Sequence, residues 1–247
     1  MKKLHSFKRI LLFLSAFLIV VVLIIFCLKT RQNPDIELQQ QQMPYNVKTY
    51  HSECDCQQDQ ISLLIYPNLV RVQKANDLIR TFPDFSQLTF TCDVYNTFKR
   101  SGGNNSGTNV IAFSLYGSDP KYSKDLKLLA KAVKKLYPGW LMRVYHDRTV
   151  NTETKCQLEC LKADDTDEYL GNVDLCDITA IPHNDLSSSW NASFMHAMNW
   201  RFLPVGDSFV EAFMSRDTDS MITQRERSSV NVWLGSSQPG HIMRGLE

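Results

Sequence analysis

The chain has 247 residues, 43% of them hydrophobic, and a formal net charge of +1. That length fits one large domain or two small ones, and the apolar content is ordinary for a globular protein. A charge balance so near neutral carries no electrostatic footprint for nucleic acid or for a charged membrane surface.

The first element is the apolar run Ile10 to Leu28, nineteen residues whose only notable polar member is Ser15. It is long enough to span a bilayer at about 1.5 Å per residue. A cleaved signal peptide would have a shorter apolar core and a small-x-small cleavage site, and none comes after it. The run is therefore read as an uncleaved signal anchor, with residues 1–9 as a cytosolic tail. Lys2, Lys3, Lys8 and Arg9 precede it and only Lys29 and Arg31 follow closely. The positive-inside rule then makes the chain a single-pass type II membrane protein with its body in the lumen. The short span leans towards the thinner membranes of the early secretory pathway, Golgi or endoplasmic reticulum.

Two features agree with a lumenal body. Asn104-Asn-Ser106 and Asn191-Ala-Ser193 are glycosylation sequons, making Asn104 and Asn191 candidate acceptors. Beyond the span lie Cys54, Cys56, Cys92, Cys156, Cys160 and Cys176, an even set in a disulfide-permissive compartment. Six cysteines allow fifteen connectivities, and the sequence does not choose among them. Zinc binding at Cys54-x-Cys56 and Cys156-x3-Cys160 is disfavoured, because no histidine stands at ligand spacing beside either pair.

Residues 29–44, with Gln39 to Gln42, read as a polar stem without a core of its own. Residues 45–108 contain the apolar stretches Ile61 to Tyr66, Leu69-Val70 and Leu88 to Val94. They form either a small disulfide-tied subdomain or an elaboration packed on the next unit. Lys99 to Thr108 reads as a loop or linker.

From Asn109 onward the pattern is regular. Asn109 to Tyr116 reads as a buried strand closed by Gly117-Ser-Asp-Pro120, where Ser118 or Asp119 can cap a helix that has Pro120 in its first turn. That helix runs to about Tyr137, with Leu126, Leu129, Ala130, Val133 and Leu136 on its apolar stripe and a solvated face of lysines opposite. Pro138-Gly139 stops it, and Trp140 to Tyr145 makes a second strand. A strand, helix and strand within about 35 residues is a βαβ crossover, so a mainly parallel sheet with flanking helices is expected over residues 109–247. Asn172 to Ile178 adds another strand, Ser187 to Phe202 a further helix, Val210 to Met214 a strand and Ile222 to Leu234 a last helix. Trp190, Trp200 and Trp233 are assigned to the core rather than to a sugar-stacking platform. Neither a Gly-rich phosphate loop nor a Gly-x-Ser-x-Gly elbow is present.

Asp217 and Asp219 come directly after the Val210 strand. With period two they would point the same way and offer their carboxylates to one hard divalent cation, Mn²⁺ or Mg²⁺, which in turn grips a diphosphate. With 18 aspartates in the chain, an isolated Asp-x-Asp arises by chance, and a second copy, Asp165-Thr-Asp167, sits in an acidic run read as a solvated loop. Position separates the two. In open α/β sheets ligands bind outside the carboxyl ends of strands, and both Gly117-Ser-Asp119 and Asp217-Thr-Asp219 fall at such ends. An acidic turn capping the next helix is the simpler alternative for the pair. Arg216 reads either as a diphosphate contact or as an ion-pair partner of Glu226 or Asp219.

The blocks Phe113-Ser-Leu-Tyr-Gly117, Val173-Asp-Leu-Cys-Asp177, Arg201-Phe-Leu-Pro204, Ser215-Arg-Asp-Thr-Asp-Ser220, Arg225-Glu226, Trp233-Leu234 and His241-Ile-Met-Arg244 occur here in one order. Together they resemble a poorly characterised family of proposed glycosyltransferases, similar to GT-A type nucleotide-diphospho-sugar transferases, over about Asn109 to Arg244. The resemblance implies a GT-A-like, Rossmann-like domain. It also implies a nucleotide-sugar donor bound at the first strand's end, at Ser114, Tyr116 and Gly117 with Arg216, and a divalent metal at Asp217 and Asp219. His241 and Arg244 are further possible site residues on the same ground. The acceptor would be a glycan, lipid or protein. Family members continue after the Met-Arg pair with an acidic residue and a long segment, from which such domains draw acceptor contacts and a catalytic carboxylate. Here Gly245-Leu-Glu247 stand instead. The expectation is thus a C-terminally truncated lumenal glycosyltransferase with a partial GT-A-like domain at 109–247 and an unassigned catalytic residue, set against a non-catalytic lumenal membrane protein that keeps half the fold as a binding or regulatory form.

Overall fold

The computed structural model describes residues 43–54, 56, 59–99, 107–164 and 166–243. The chain divides into two units, 1–44 and 45–247, and of the first only Met43 and Pro44 are described. The expected cytosolic tail, the anchor at 10–28 and nearly all of the stem lie outside the described residues, as do Asn104 and Arg244. Among the described residues no helix is long and apolar enough to cross a membrane.

Residues 45–99 open with an antiparallel meander of β1 (Asn46–His51), β2 (Gln60–Tyr66), β3 (Leu69–Lys74) and β4 (Asp77–Phe82), hydrogen-bonded in that order. The β3–β4 turn has Ala75 at φ 48° and Asn76 at φ 74°. Two successive residues of positive φ form the primed turn whose twist matches the flanking strands. On β2, Ile61, Leu63 and Ile65 are buried while Ser62 and Leu64 are half-exposed, the alternation of a sheet with one covered face. A short helix, α1 (Val94–Phe98), comes next, capped by the Asp93 carboxylate, which accepts the Asn96 N–H at 2.9 Å.

The second sheet is parallel. Its strands are β5 (Thr108–Leu115), β6 (Leu141–His146), β7 (Val173–Asp177) and β10 (Val210–Ser215), ordered β10-β5-β6-β7. Between β5 and β6 runs α2 (Pro120–Leu136), with Asp119 as its cap accepting the Lys121 N–H at 2.9 Å and Pro120 in its first turn. Its fully buried Leu126, Leu129 and Val133 pack with Ile111, Phe113 and Leu115 from one face of β5. The other face of β5, Val110 and Ala112, joins the core of β2 and β3 and an aromatic cluster in which Phe209 lies 5.1 Å from both Phe90 and Phe98. Covered on both faces, β5 is a near-continuous apolar run, as parallel strands usually are. The α3 helix (Thr152–Glu159) joins β6 to β7, and α4 (Gln224–Leu234), capped by Thr223, comes after β10.

Three disulfides cross-link the chain: Cys54–Cys156 and Cys56–Cys160 tie the segment after β1 to α3 and its C-cap, and Cys92–Cys176 ties the segment after β4 to β7. Cys156 and Cys160 stand four apart, on one side of α3 and its C-cap, so they meet the two alternate cysteines of the segment after β1. All six cysteines of the lumenal candidate set are thereby used.

One expected element is corrected. Ser187 to Phe202 is not a helix. It contains β9 (Ser189–Trp190), paired antiparallel with β8 (Ile181–Pro182), and then the start of a 3-10 run, Ala197–Gly206. The Asn191 side chain accepts the Ser193 N–H at 2.8 Å and closes a turn, while the Ala192 N–H reaches back to the Ile178 carbonyl at 2.7 Å. Such local side-chain bonds compete with helix formation.

Candidate functional site

The strand order locates the site. From β5 the chain moves to one side through β6 and β7, then returns to pair β10 on the other side of β5. The carboxyl ends of β5 and β10 therefore flank a topological switch point, where open α/β sheets form their ligand crevice. A cleft of about 160 Å³ lies there, lined by Ser114, Tyr116, Arg201, Arg216, Asp217 and Asp219 among others.

Each side of the cleft has a local cause. At the β5 end, Gly117 adopts φ +77°, a left-handed turn that a side chain would strain, and donates its N–H to Thr149 Oγ1 at 2.6 Å. That turn leaves Tyr116 44% exposed, edge-on to Trp200 with centroids 6.0 Å apart. The Ser114 hydroxyl accepts the Arg201 backbone N–H at 3.1 Å and so fastens the 3-10 run to β5. At the β10 end, the Arg216 N–H continues the parallel pairing to the Ala112 carbonyl at 3.0 Å. The strand stops at Ser215, so Asp217 and Asp219 occupy a turn and the period-two argument does not apply to them. The turn nonetheless brings both exposed carboxylates into the one cleft.

Two arginines line the cleft with these carboxylates. Arg201 pairs with Asp217 through Nη1 and Oδ1. Arg216 donates through Nη2 to the carbonyls of Ser220 at 3.0 Å and Met221 at 3.2 Å, and its Nη1 lies 3.3 Å from Glu226 Oε2. Of the two readings of Arg216, the ion pair with Glu226 is the one formed, although the residue also lines the cleft. Burial raises the pKa of Glu226, partly offset by the Arg216 charge and the Thr223 backbone bond.

The donor set fits a small hard cation. Asp217 and Asp219 offer carboxylate oxygens at an open mouth, and Mg²⁺-type ions typically take one or two carboxylates and complete their shell with water and phosphate oxygens. Among the described residues no group of three or more His, Cys, Asp or Glu is arranged to hold a metal, so two carboxylates are what the cleft offers. The other aspartate pair is elsewhere: Asp167 is solvent-exposed beside Lys162 at 3.0 Å, and Asp165 lies outside the described residues. The lysine face of α2 is engaged locally, Lys131 with Asp164, Lys127 with Gln157 and Lys134 with the Leu170 carbonyl.

Of the remaining candidates, His241 is exposed and lines a larger groove of about 660 Å³ along β10, which shares Arg201, Arg216 and Asp217 with the cleft. Asn191 is exposed in the turn after β9. Arg201, Tyr122 and Thr218 also line the cleft, and sequence reasoning gave none of them a role. Arg201 stands in one of the resembling blocks, but nothing in spacing or periodicity points it at Asp217. Compared with known proteins, the chain matches no family model and no curated protein.

Proposed function

We propose that this cleft binds the diphosphate of a nucleotide-sugar and that the protein is a glycosyltransferase of the secretory pathway, held in the Golgi or endoplasmic reticulum membrane by residues 10–28. The observation that carries the reading is the meeting of Arg201, Arg216, Asp217 and Asp219 at the switch point between β5 and β10. Guanidinium groups match phosphate geometry, and carboxylates at that position hold the cation that accompanies a diphosphate. Asp217 and Asp219 would hold Mn²⁺ or Mg²⁺, which when bound neutralises charge developing on the leaving diphosphate. Tyr116 offers an exposed ring at the β5 end for the rest of the nucleotide. The three disulfides suit a lumenal body. The acceptor, a glycan, lipid or protein, would approach from the groove along β10.

The test is binding of a panel of nucleotide-sugars to the full chain, with and without Mn²⁺, beside the double variant Asp217→Ala/Asp219→Ala. Manganese-dependent binding that disappears in the double variant supports the donor site. Absence of binding by folded protein refutes it. Binding without turnover against any acceptor would favour the non-catalytic form of the same reading.

A further inference from the structure

The two cleft arginines are held differently. Arg216 is the more engaged: two backbone carbonyls and Glu226 hold its Nη atoms against the start of α4, although its Nε too is buried without a hydrogen-bond partner. Arg201 has a single side-chain hydrogen-bond partner among the described residues, the Asp217 carboxylate, and its Nε is buried without a hydrogen-bond partner. A guanidinium carries five N–H donors, so most of the capacity of Arg201 is unused. Its side chain is 17% exposed and its backbone is tied to Ser114, so the group stays at the cleft. Asp217 is 54% exposed in its side chain and free to turn outward.

We propose that the Arg201–Asp217 pair is a latch that couples cation and anion binding in this cleft. Closed, the pair sets the two charges against each other, so Asp217 is less available to a cation and Arg201 is a weaker receptor for phosphate. When Asp217 turns to a divalent cation, Arg201 is released towards phosphate oxygens. The two ligands then bind with positive coupling, and by linkage each tightens the other by the same factor. Arg201, rather than Arg216, is the anion receptor. This inference rests on the diphosphate reading of the cleft but needs no turnover.

The test measures binding of inorganic pyrophosphate to the full chain by calorimetry, first in chelator and then with Mn²⁺. The chelator arm decides, because it is free of cation–pyrophosphate complexes in solution. Asp217→Asn opens the latch and should bind pyrophosphate without metal about 10-fold more tightly than Asp219→Asn, within the usual range of couplings between sites. Asp219→Asn removes the same charge from the same cleft and leaves the pair intact, so it separates the latch from simple loss of repulsion. Arg201→Gln should lose pyrophosphate binding in either arm, and Arg201→Lys should recover part of it. Equal gains in Asp217→Asn and Asp219→Asn, or wild-type affinity in folded Arg201→Gln, overturn the latch while wild-type binding stands. A folded wild-type chain that binds no pyrophosphate in either arm overturns the diphosphate reading and the latch together.

Discussion

Asp207 provides a demanding test of how this fold is held. It closes the 3-10 run just before β10, and its side chain is wholly buried. Its Oδ2 accepts from Arg143 Nη1 at 2.7 Å, from Thr91 Oγ1 at 2.7 Å and from the Thr91 N–H at 3.2 Å, while Oδ1 accepts the Phe209 N–H at 2.9 Å. Arg143 is 2% exposed, and its other carboxylate, Asp174, is 4.0 Å from Nε. Asp207→Ala therefore leaves a buried guanidinium whose remaining carboxylate is 4.0 Å away and strands the Thr91 and Phe209 N–H groups. Breaking a buried pair from one side costs about 3–5 kcal/mol. For a unit of this size that is a fall in melting temperature of roughly 6–20 °C. Asp207→Asn keeps an acceptor oxygen but loses the charge, and should cost about 1.5–3 kcal/mol. Urea unfolding of the oxidised chain measures both, with little salt dependence because the pair is shielded from solvent. The control is Asp167→Asn, where the partner carboxylate is fully exposed and no measurable change is expected. An Asp207→Ala protein as stable as that control would refute the reasoning.

The same packing supports two further perturbations. Replacing Cys92 and Cys176 together by alanine opens a loop of 84 residues. By the chain-entropy relation this removes about 4.5 kcal/mol of stability, read as the gap between variant and oxidised wild type in urea, and no gap would show the bond to be dispensable. His146 is buried at the end of β6. Burial is the largest influence on its pKa and lowers it from 6.5, with Lys155 acting the same way and the Asp147 carbonyl, Asp177 and Asp93 opposing. The unfolded chain then binds the proton more readily than the native one, so this group's contribution is present above about pH 6.5 and is lost as pH falls towards the folded value. His146→Gln should flatten the loss of stability on acidification from pH 7. An unchanged slope would place the acid-sensitive group elsewhere.

The βαβ unit was legible because its signals are local. Gly117-Ser-Asp-Pro120 and Pro138-Gly139 bracket α2, and Asp119 caps it as its residue type suggests. The antiparallel sheet was not, since Leu64 interrupts the polar face of β2 and turns an alternating pattern into an apolar run. The segment from Ser187 to Phe202 misled because the turn signals of Asn191 and Ser193 inside it were given no weight. Arg143 was invisible, because a charged residue inside a strand reads as an ordinary outward position until its partners, 31 and 64 residues away, are known. In the cleft, Asp217 and Asp219 were singled out partly by their place after a strand, which holds, and partly by period two, which does not. The strand ends before them, and it is the turn, braced by Arg216, that holds them together.

β10 carries an Arg–Asp pair near each end, and their surroundings give them opposite tasks. Asp207, before the strand, pairs with Arg143 at side-chain exposures of 0% and 2%; Asp217, after it, pairs with Arg201 at 54% and 17%. The first cannot exchange partners without leaving a buried charge, which costs several kcal/mol. The second sits where water screens it and competes for it, so it is worth about 0–1 kcal/mol. A ligand can displace a pair of that strength, because even a millimolar binder supplies about 4 kcal/mol. The buried pair fixes where β10 begins, the bonds of Arg216 fix how it ends, and the weak pair alone is left free to respond to what enters the cleft.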